Sequence, residues 1–71
     1  MKLTVNGESR EFASELSITE LLKQCNVKMP EMVSVELNGQ IIPRDQFAEV
    51  TVKDGDEVEF LYFMGGGALW I

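Results

Sequence analysis

The sequence predicts an α+β fold, a mixed sheet of four to five strands with one main helix packed on one face. Three observations predict it. Two Asn-Gly pairs, Asn6-Gly7 and Asn38-Gly39, each follow an alternating segment. They mark hairpins, because a type I′ turn needs positive φ at both central residues. Ser17-Ile18-Thr19-Glu20 has the form of a capping box and opens a stretch with helical periodicity. Glu57 to Phe63 is a long strand pattern that runs, through Met64, into three consecutive glycines.

Taken in order, Lys2 to Asn6 alternates, with Leu3 and Val5 on one side and Lys2, Thr4 and Asn6 on the other. That is a half-buried strand. Its hairpin partner is expected around Ser9-Arg10-Glu11-Phe12, with Phe12 turned inward. The helix carries Ile18, Leu21, Leu22 and Cys25 at spacings that form one apolar face. Asn26 is placed to close it in a left-handed conformation, and Pro30 cannot continue it. Cys25 reads as a core residue rather than a reactive thiol, since buried structural cysteines are inert.

Val33 to Leu37 alternates again, Gln40-Ile41-Ile42 returns from the second Asn-Gly turn, and Pro43 ends that strand. Arg44 to Phe47 reads as a short turn or 3₁₀ piece that lends Phe47 to the core. Val50-Thr51-Val52 is a short edge-like segment, and Lys53-Asp54-Gly55-Asp56 a tight turn. In the last strand Val58, Phe60 and Tyr62 suit the core. The opposite face begins with Glu57 and Glu59 and then changes to Leu61 and Phe63. A solvent face that turns apolar marks a partner site. The first and last strands are expected to pair centrally and in parallel, because the connection between them is long enough to cross over.

Seventy-one residues make one domain. A domain of this size buries about 60% of the surface its unfolded chain exposes, so its core is thin. The expected organisation is a folded body over residues 1–64 and a glycine tail over 65–71. The charge is −6, from six basic and twelve acidic residues. An acidic surface is repelled by phosphate backbones, which argues against nucleic acid as a partner. No apolar run approaches the roughly 18 residues of a membrane span, so no membrane partner is expected. The first residues lack the continuous apolar segment of a signal peptide, which makes the cytoplasm the expected compartment. One cysteine and no histidine exclude a Ser-His-Asp triad, a Cys-His pair and a histidine metal site. Asp54 and Asp56 flank a turn glycine and read as turn formers rather than metal ligands. No positioned set of acid, base and nucleophile is visible, so the chain reads as not an enzyme.

A hairpin at the start, one capped helix, a second Asn-Gly hairpin, the Asp54-Gly55-Asp56 turn, a terminal strand and a glycine end, in this order, resemble the ubiquitin-like β-grasp sulfur carriers of the ThiS/MoaD family. The resemblance covers nearly the whole chain. It implies a carrier whose terminal glycine carboxylate is adenylated with ATP by a ThiF-like enzyme and converted to a thiocarboxylate. A thiazole synthase resembling ThiG then takes the sulfur into the thiazole of thiamine. No cofactor is expected on the chain itself, since ATP belongs to the activating partner. The resemblance places the working terminus at Gly67, with Gly66 before it. Leu61, Phe63, Met64 and Gly65 are the expected partner-binding residues, with Glu57, Glu59, Asp54 and Asp56 steering basic groups to them.

Ala68-Leu69-Trp70-Ile71 departs from the family pattern. While these residues remain, Gly67 carries a peptide bond instead of a carboxylate, so they read as an extension removed by a processing protease. Alternatively, Leu69, Trp70 and Ile71 pack back over Leu61 and Phe63. Two further functions stay open at this point. One is sulfur delivery to molybdopterin, cysteine or homocysteine, or a secondary metabolite. The other is a ubiquitin-like protein modifier joined to lysines.

Overall fold

The computed structural model describes residues 1–62; Phe63 to Ile71 lie outside the described residues. The expected boundary at residue 64, the glycine run and the 68–71 extension therefore fall outside what the structure describes. The elements are β1 (Lys2–Val5), β2 (Glu8–Glu11), β3 (Leu16–Ser17), α1 (Ile18–Gln24), β4 (Val33–Leu37), β5 (Gln40–Ile42), β6 (Thr51–Val52) and β7 (Glu57–Tyr62). Short 3₁₀ turns cover Pro30–Met32 and Arg44–Gln46. Five strands form one mixed sheet in the order β2-β1-β7-β4-β5, and β3 and β6 form a separate two-stranded ribbon.

Local chemistry sets these elements. Asn6 and Gly7 have φ of 52° and 84°, and Asn38 and Gly39 have 52° and 86°. Both pairs thus hold the double positive φ of a tight hairpin, which asparagine tolerates and glycine adopts freely. The capping box at the helix start is complete: Glu20 N donates to Ser17 Oγ at 3.1 Å and Ser17 N donates to Glu20 Oε1 at 3.0 Å. Asn26, at φ 59°, follows the last turn in the left-handed conformation the sequence leads one to expect.

The first and last strands pair in parallel at the centre, with Thr4 opposite Glu57 and Val5 opposite Val58. β7 pairs antiparallel with β4 on its other flank, from Leu37–Val58 to Val33–Tyr62. Helix α1 buries Ile18, Leu21 and Leu22 in one core with Leu3, Val5, Val33, Val35, Val58 and Phe60. Phe12 and Phe47 complete this core, as expected, and no polar or charged side chain is buried among the described residues.

Three details differ from the sequence reading. Val50 to Val52 does not edge the main sheet: Thr51–Val52 pairs with Leu16–Ser17 in the small ribbon, an interaction that two-residue strands give no periodicity to reveal. β2 is exposed along its length, and Phe12 enters the core just past its end. Tyr62 shares a side with the buried Val58 and Phe60 but is 42% exposed. It pairs with Val33, which is itself fully buried, but lies four residues beyond the end of the β1 pairing, so β1 does not flank it as it flanks Val58. No helix among the described residues is long and apolar enough to cross a membrane.

Replacing Ser17 with alanine removes one half of the capping box, and the expected loss of stability is about 1 kcal/mol. Equilibrium urea unfolding checks it, and an unchanged midpoint would show that the cap contributes nothing.

Candidate functional site

The candidate site is the end of β7, the strand that leads towards the glycine run. Its position follows from hydrogen bonding on both flanks. Along the β1 flank the parallel ladder is short. Thr4 N donates to Asp56 O at 3.0 Å and Asn6 N to Val58 O at 2.9 Å. Side chains close the ladder at both ends. Lys2 N donates to Asp54 Oδ1 at 2.7 Å, and Phe60 N donates to Asn6 Oδ1 at 2.8 Å. The second asparagine clamps the beginning of the strand: Glu57 N donates to Asn38 Oδ1 at 2.9 Å, while Asn38 Nδ2 donates to Asp56 Oδ1 at 3.1 Å. Asp56 Oδ2 also accepts from Lys53 N at 2.8 Å.

These contacts assign Asp54 and Asp56 to the turn. Both carboxylates accept hydrogen bonds that hold β7 in register, which agrees with their reading as turn formers. Among the described residues no group of three or more His, Cys, Asp and Glu is placed to hold a metal ion. The structural roles of Asn6 and Asn38 beyond their turns were not legible in sequence. Each side chain supplies a bond to a strand more than 18 residues away, and an Asn-Gly pair signals the turn alone.

Register places Thr4, Glu57, Glu59, Glu36, Ser34, Leu61 and Ile41 on the sheet face away from α1, since residues directly opposite share a side. Glu59 lies across from Glu36, and Glu36 from Ile41. The face is therefore acidic at its centre, with Leu61 (39% exposed) and Ile41 (57% exposed) beside the acids. Of the expected partner-binding residues the structure describes Leu61, which is exposed on this outer face. Phe63, Met64, Gly65, Gly66 and Gly67 lie outside the described residues. Ile41 was not singled out by sequence, although its alternation with Ile42 carried the signal.

Cys25 is half-buried against the core, with Arg10 Nη1 at 3.6 Å from its sulfur. Burial raises its thiol above the ordinary range, and the Arg10 charge opposes that shift without cancelling it. The thiolate is the nucleophile, so a raised pKa makes this a poor one.

The ThiS family model matches residues 3–67 of the chain. The thiazole synthase of Paramagnetospirillum magneticum is 41% identical over 68 residues, which are 96% of this chain and 21% of that protein. The chain spans about a fifth of the length of the thiazole synthases it matches. The sulfur carrier protein ThiS of Escherichia coli is 30% identical over 67 residues, covering 94% of this chain and all of that one. The crystal structure of the thiamine biosynthesis protein ThiS from Geobacter metallireducens superposes with a TM-score of 0.86 at 55% identity. It covers 94% of this chain and 100% of that one.

Asn6→Gly keeps the turn's positive φ but removes the acceptor for Phe60 N. The expected outcome is about 1 kcal/mol lower stability with faster amide exchange at Phe60, read by NMR; unchanged exchange there would remove the clamp. Alkylation of Cys25 at about pH 8 is expected to be slower in the folded than in the unfolded chain, because the raised pKa leaves less thiolate. The gap narrows as pH rises past the raised value, and equal rates at about pH 8 would contradict the burial effect.

Proposed function

The chain belongs to the ThiS family, and from that premise we propose that it is a sulfur carrier of thiamine biosynthesis whose reacting atom is the carboxyl carbon of Gly67. The observation that carries the reading is a family match that runs from β1 to Gly67 and stops there. β7, two residues before that glycine run, is central in the sheet, so a partner would meet a fixed body that leads into glycines. Fully extended at roughly 3.3–3.6 Å per residue, Met64 to Gly67 would reach about 13 Å. That span carries the carboxyl group into a narrow cleft while the body stays outside.

The chemistry follows from the poor electrophilicity of a carboxylate. Its oxygen attacks the α-phosphorus of ATP on a ThiF-like partner, releasing pyrophosphate and forming an acyl adenylate. Sulfur at the oxidation level of hydrosulfide then attacks the acyl carbon and AMP leaves, so one hard step becomes two easier ones. The resulting thiocarboxylate passes its sulfur to a thiazole synthase. Likeness to thiazole synthases over nearly the whole chain supports that acceptor above the other sulfur pathways. Gly67 is followed by Ala68, so the Gly67–Ala68 bond is hydrolysed before activation, whatever enzyme cuts it.

Docking falls to the outer sheet face. Leu61 and Ile41 supply the apolar contact, and Glu36, Glu57 and Glu59 draw in a basic surface. Exposed charges of this kind act mainly on encounter rate and orientation.

A chain ending at Gly67, given ATP, a ThiF-like enzyme and a sulfur donor, is expected to gain the mass of one oxygen replaced by sulfur. The 71-residue chain is expected to stay unchanged under the same conditions. Equal reaction of both, or of neither, would sink the assignment of Gly67. Leu61→Asp is expected to raise KM for adenylation about tenfold, the ~1.4 kcal/mol of one lost apolar contact, at unaltered thermal stability. An unaltered KM would move the docking surface elsewhere.

A further inference from the structure

The two Asn-Gly pairs that turn the hairpins carry a reactivity of their own. The backbone nitrogen that follows an asparagine is a nucleophile towards the side-chain amide carbon, and a glycine there, having no Cβ, obstructs the attack least. Both dipeptides are exposed. At neither Gly7 nor Gly39 does a non-neighbouring atom lie within 4 Å of the place a Cβ would occupy. In an unfolded chain the two pairs are chemically alike. The fold makes them different, because attack requires the carboxamide to leave the hydrogen bonds that hold it.

Asn38 is held at both ends of its carboxamide. Its Oδ1 accepts from Glu57 N at 2.9 Å, and its Nδ2 donates to Asp56 Oδ1 at 3.1 Å. Among the described residues Asn6 is held at one end, where Oδ1 accepts from Phe60 N at 2.8 Å. The additional bond of Asn38 goes to a carboxylate, and bonds to charged acceptors are the stronger kind. The ladders towards β7 differ in the same sense. Asn38 follows β4, which is paired with β7 from Val33 to Leu37. Asn6 follows β1, which is paired with β7 at Thr4 and Val5 alone. On the β7 side, local opening at Asn6 therefore breaks fewer backbone bonds than opening at Asn38.

We propose that Asn6-Gly7 is a site of spontaneous covalent modification in the native chain, and that the fold protects the same dipeptide at Asn38-Gly39. Gly7 N gives its proton to solvent and forms a bond to Asn6 Cγ. The side-chain nitrogen leaves that carbon and takes up a proton, departing as ammonia. The cyclic imide then adds one water. Opening at one carbonyl gives aspartate; opening at the other gives isoaspartate, in which the main chain runs through Cγ. Nothing is oxidised or reduced. Aspartate keeps an oxygen where Phe60 N donates. Isoaspartate lengthens the turn between Val5 and Glu8 by one main-chain carbon and carries its free carboxylate directly on Cα. The bond that extends the β1 ladder to Phe60 is then lost, and β7 loosens near the end that leads to the glycine run. This chemistry needs no partner and does not depend on the carrier reading.

The test ages the 71-residue chain in mildly alkaline buffer, which favours the deprotonated nitrogen, and maps its peptides by mass spectrometry for one ammonia replaced by one water. Conversion at Asn6 is expected to be at least about tenfold faster than at Asn38, a factor of ~1.4 kcal/mol. The two rates are expected to converge in urea. Asp56→Ala, which removes the acceptor of Asn38 Nδ2, is expected to bring Asn38 towards the rate of Asn6; an unaltered rate in the folded variant would remove the assigned cause. In the isoaspartate fraction, amide exchange read by NMR is expected to speed up at Phe60 and not at Glu57. If Asp56→Ala does not fold, the comparison of the two sites in the native chain needs no substitution and still decides. Equal native rates, faster conversion at Asn38, or an Asn6 that stays intact while the urea-unfolded chain converts overturns the proposal.

Discussion

The rest of the structure depends on one pairing, the parallel contact between the first strand and the last. It covers two residue pairs, Thr4–Glu57 and Val5–Val58, and would be too short to stand alone. Side chains lengthen it at both ends, Asp54 at Lys2 and Asn6 at Phe60. The helix and both hairpins are arranged around that contact. α1 lies in the long connection that a parallel pair requires, and β2 and β5 each extend the sheet outward from the central three strands. β7 is flanked on both sides, so the part of the chain that carries the proposed chemistry follows a fixed strand.

The two sides of this strand have been given different work. Towards the helix, Val58 and Phe60 join a core in which, among the described residues, no polar or charged side chain is buried, which suits a domain too small to compensate for one. Away from the helix, acids occupy the middle of the face and apolar side chains sit beside them. Glu36 and Glu59 are direct cross-strand neighbours, an arrangement that costs stability because like charges oppose each other. A partner bearing cations, as proposed above, would relieve that cost on docking.

Much of this was legible in sequence because the relevant signals are local. The Asn-Gly pairs, the Ser17–Glu20 box and the alternation of β1, β4 and β7 each depend on neighbours within four residues. The parallel pairing followed from connection length. Leu61 was legible as an exposed apolar residue because it breaks a face that begins with Glu57 and Glu59. The features that were missed are long-range. Nothing near Leu16–Ser17 or Thr51–Val52 announces that two dipeptides will pair. Nothing near Asn6 announces a bond to residue 60. Tyr62 followed the alternation and still came out exposed, because alternation sets the side a residue faces but not whether neighbouring elements cover it. Arg44 read as part of a turn, whereas its guanidinium ties Pro30 and Val33 together.

The hydrogen bonds of a ladder run across the strands they join. A pull along β7 from its far end therefore loads the bonds to β1 and β4 together, in shear, instead of opening them one by one. Asn6 and Asn38 add bonds that resist the same displacement. Tension along β7 is thus shared between the ladders to β1 and β4.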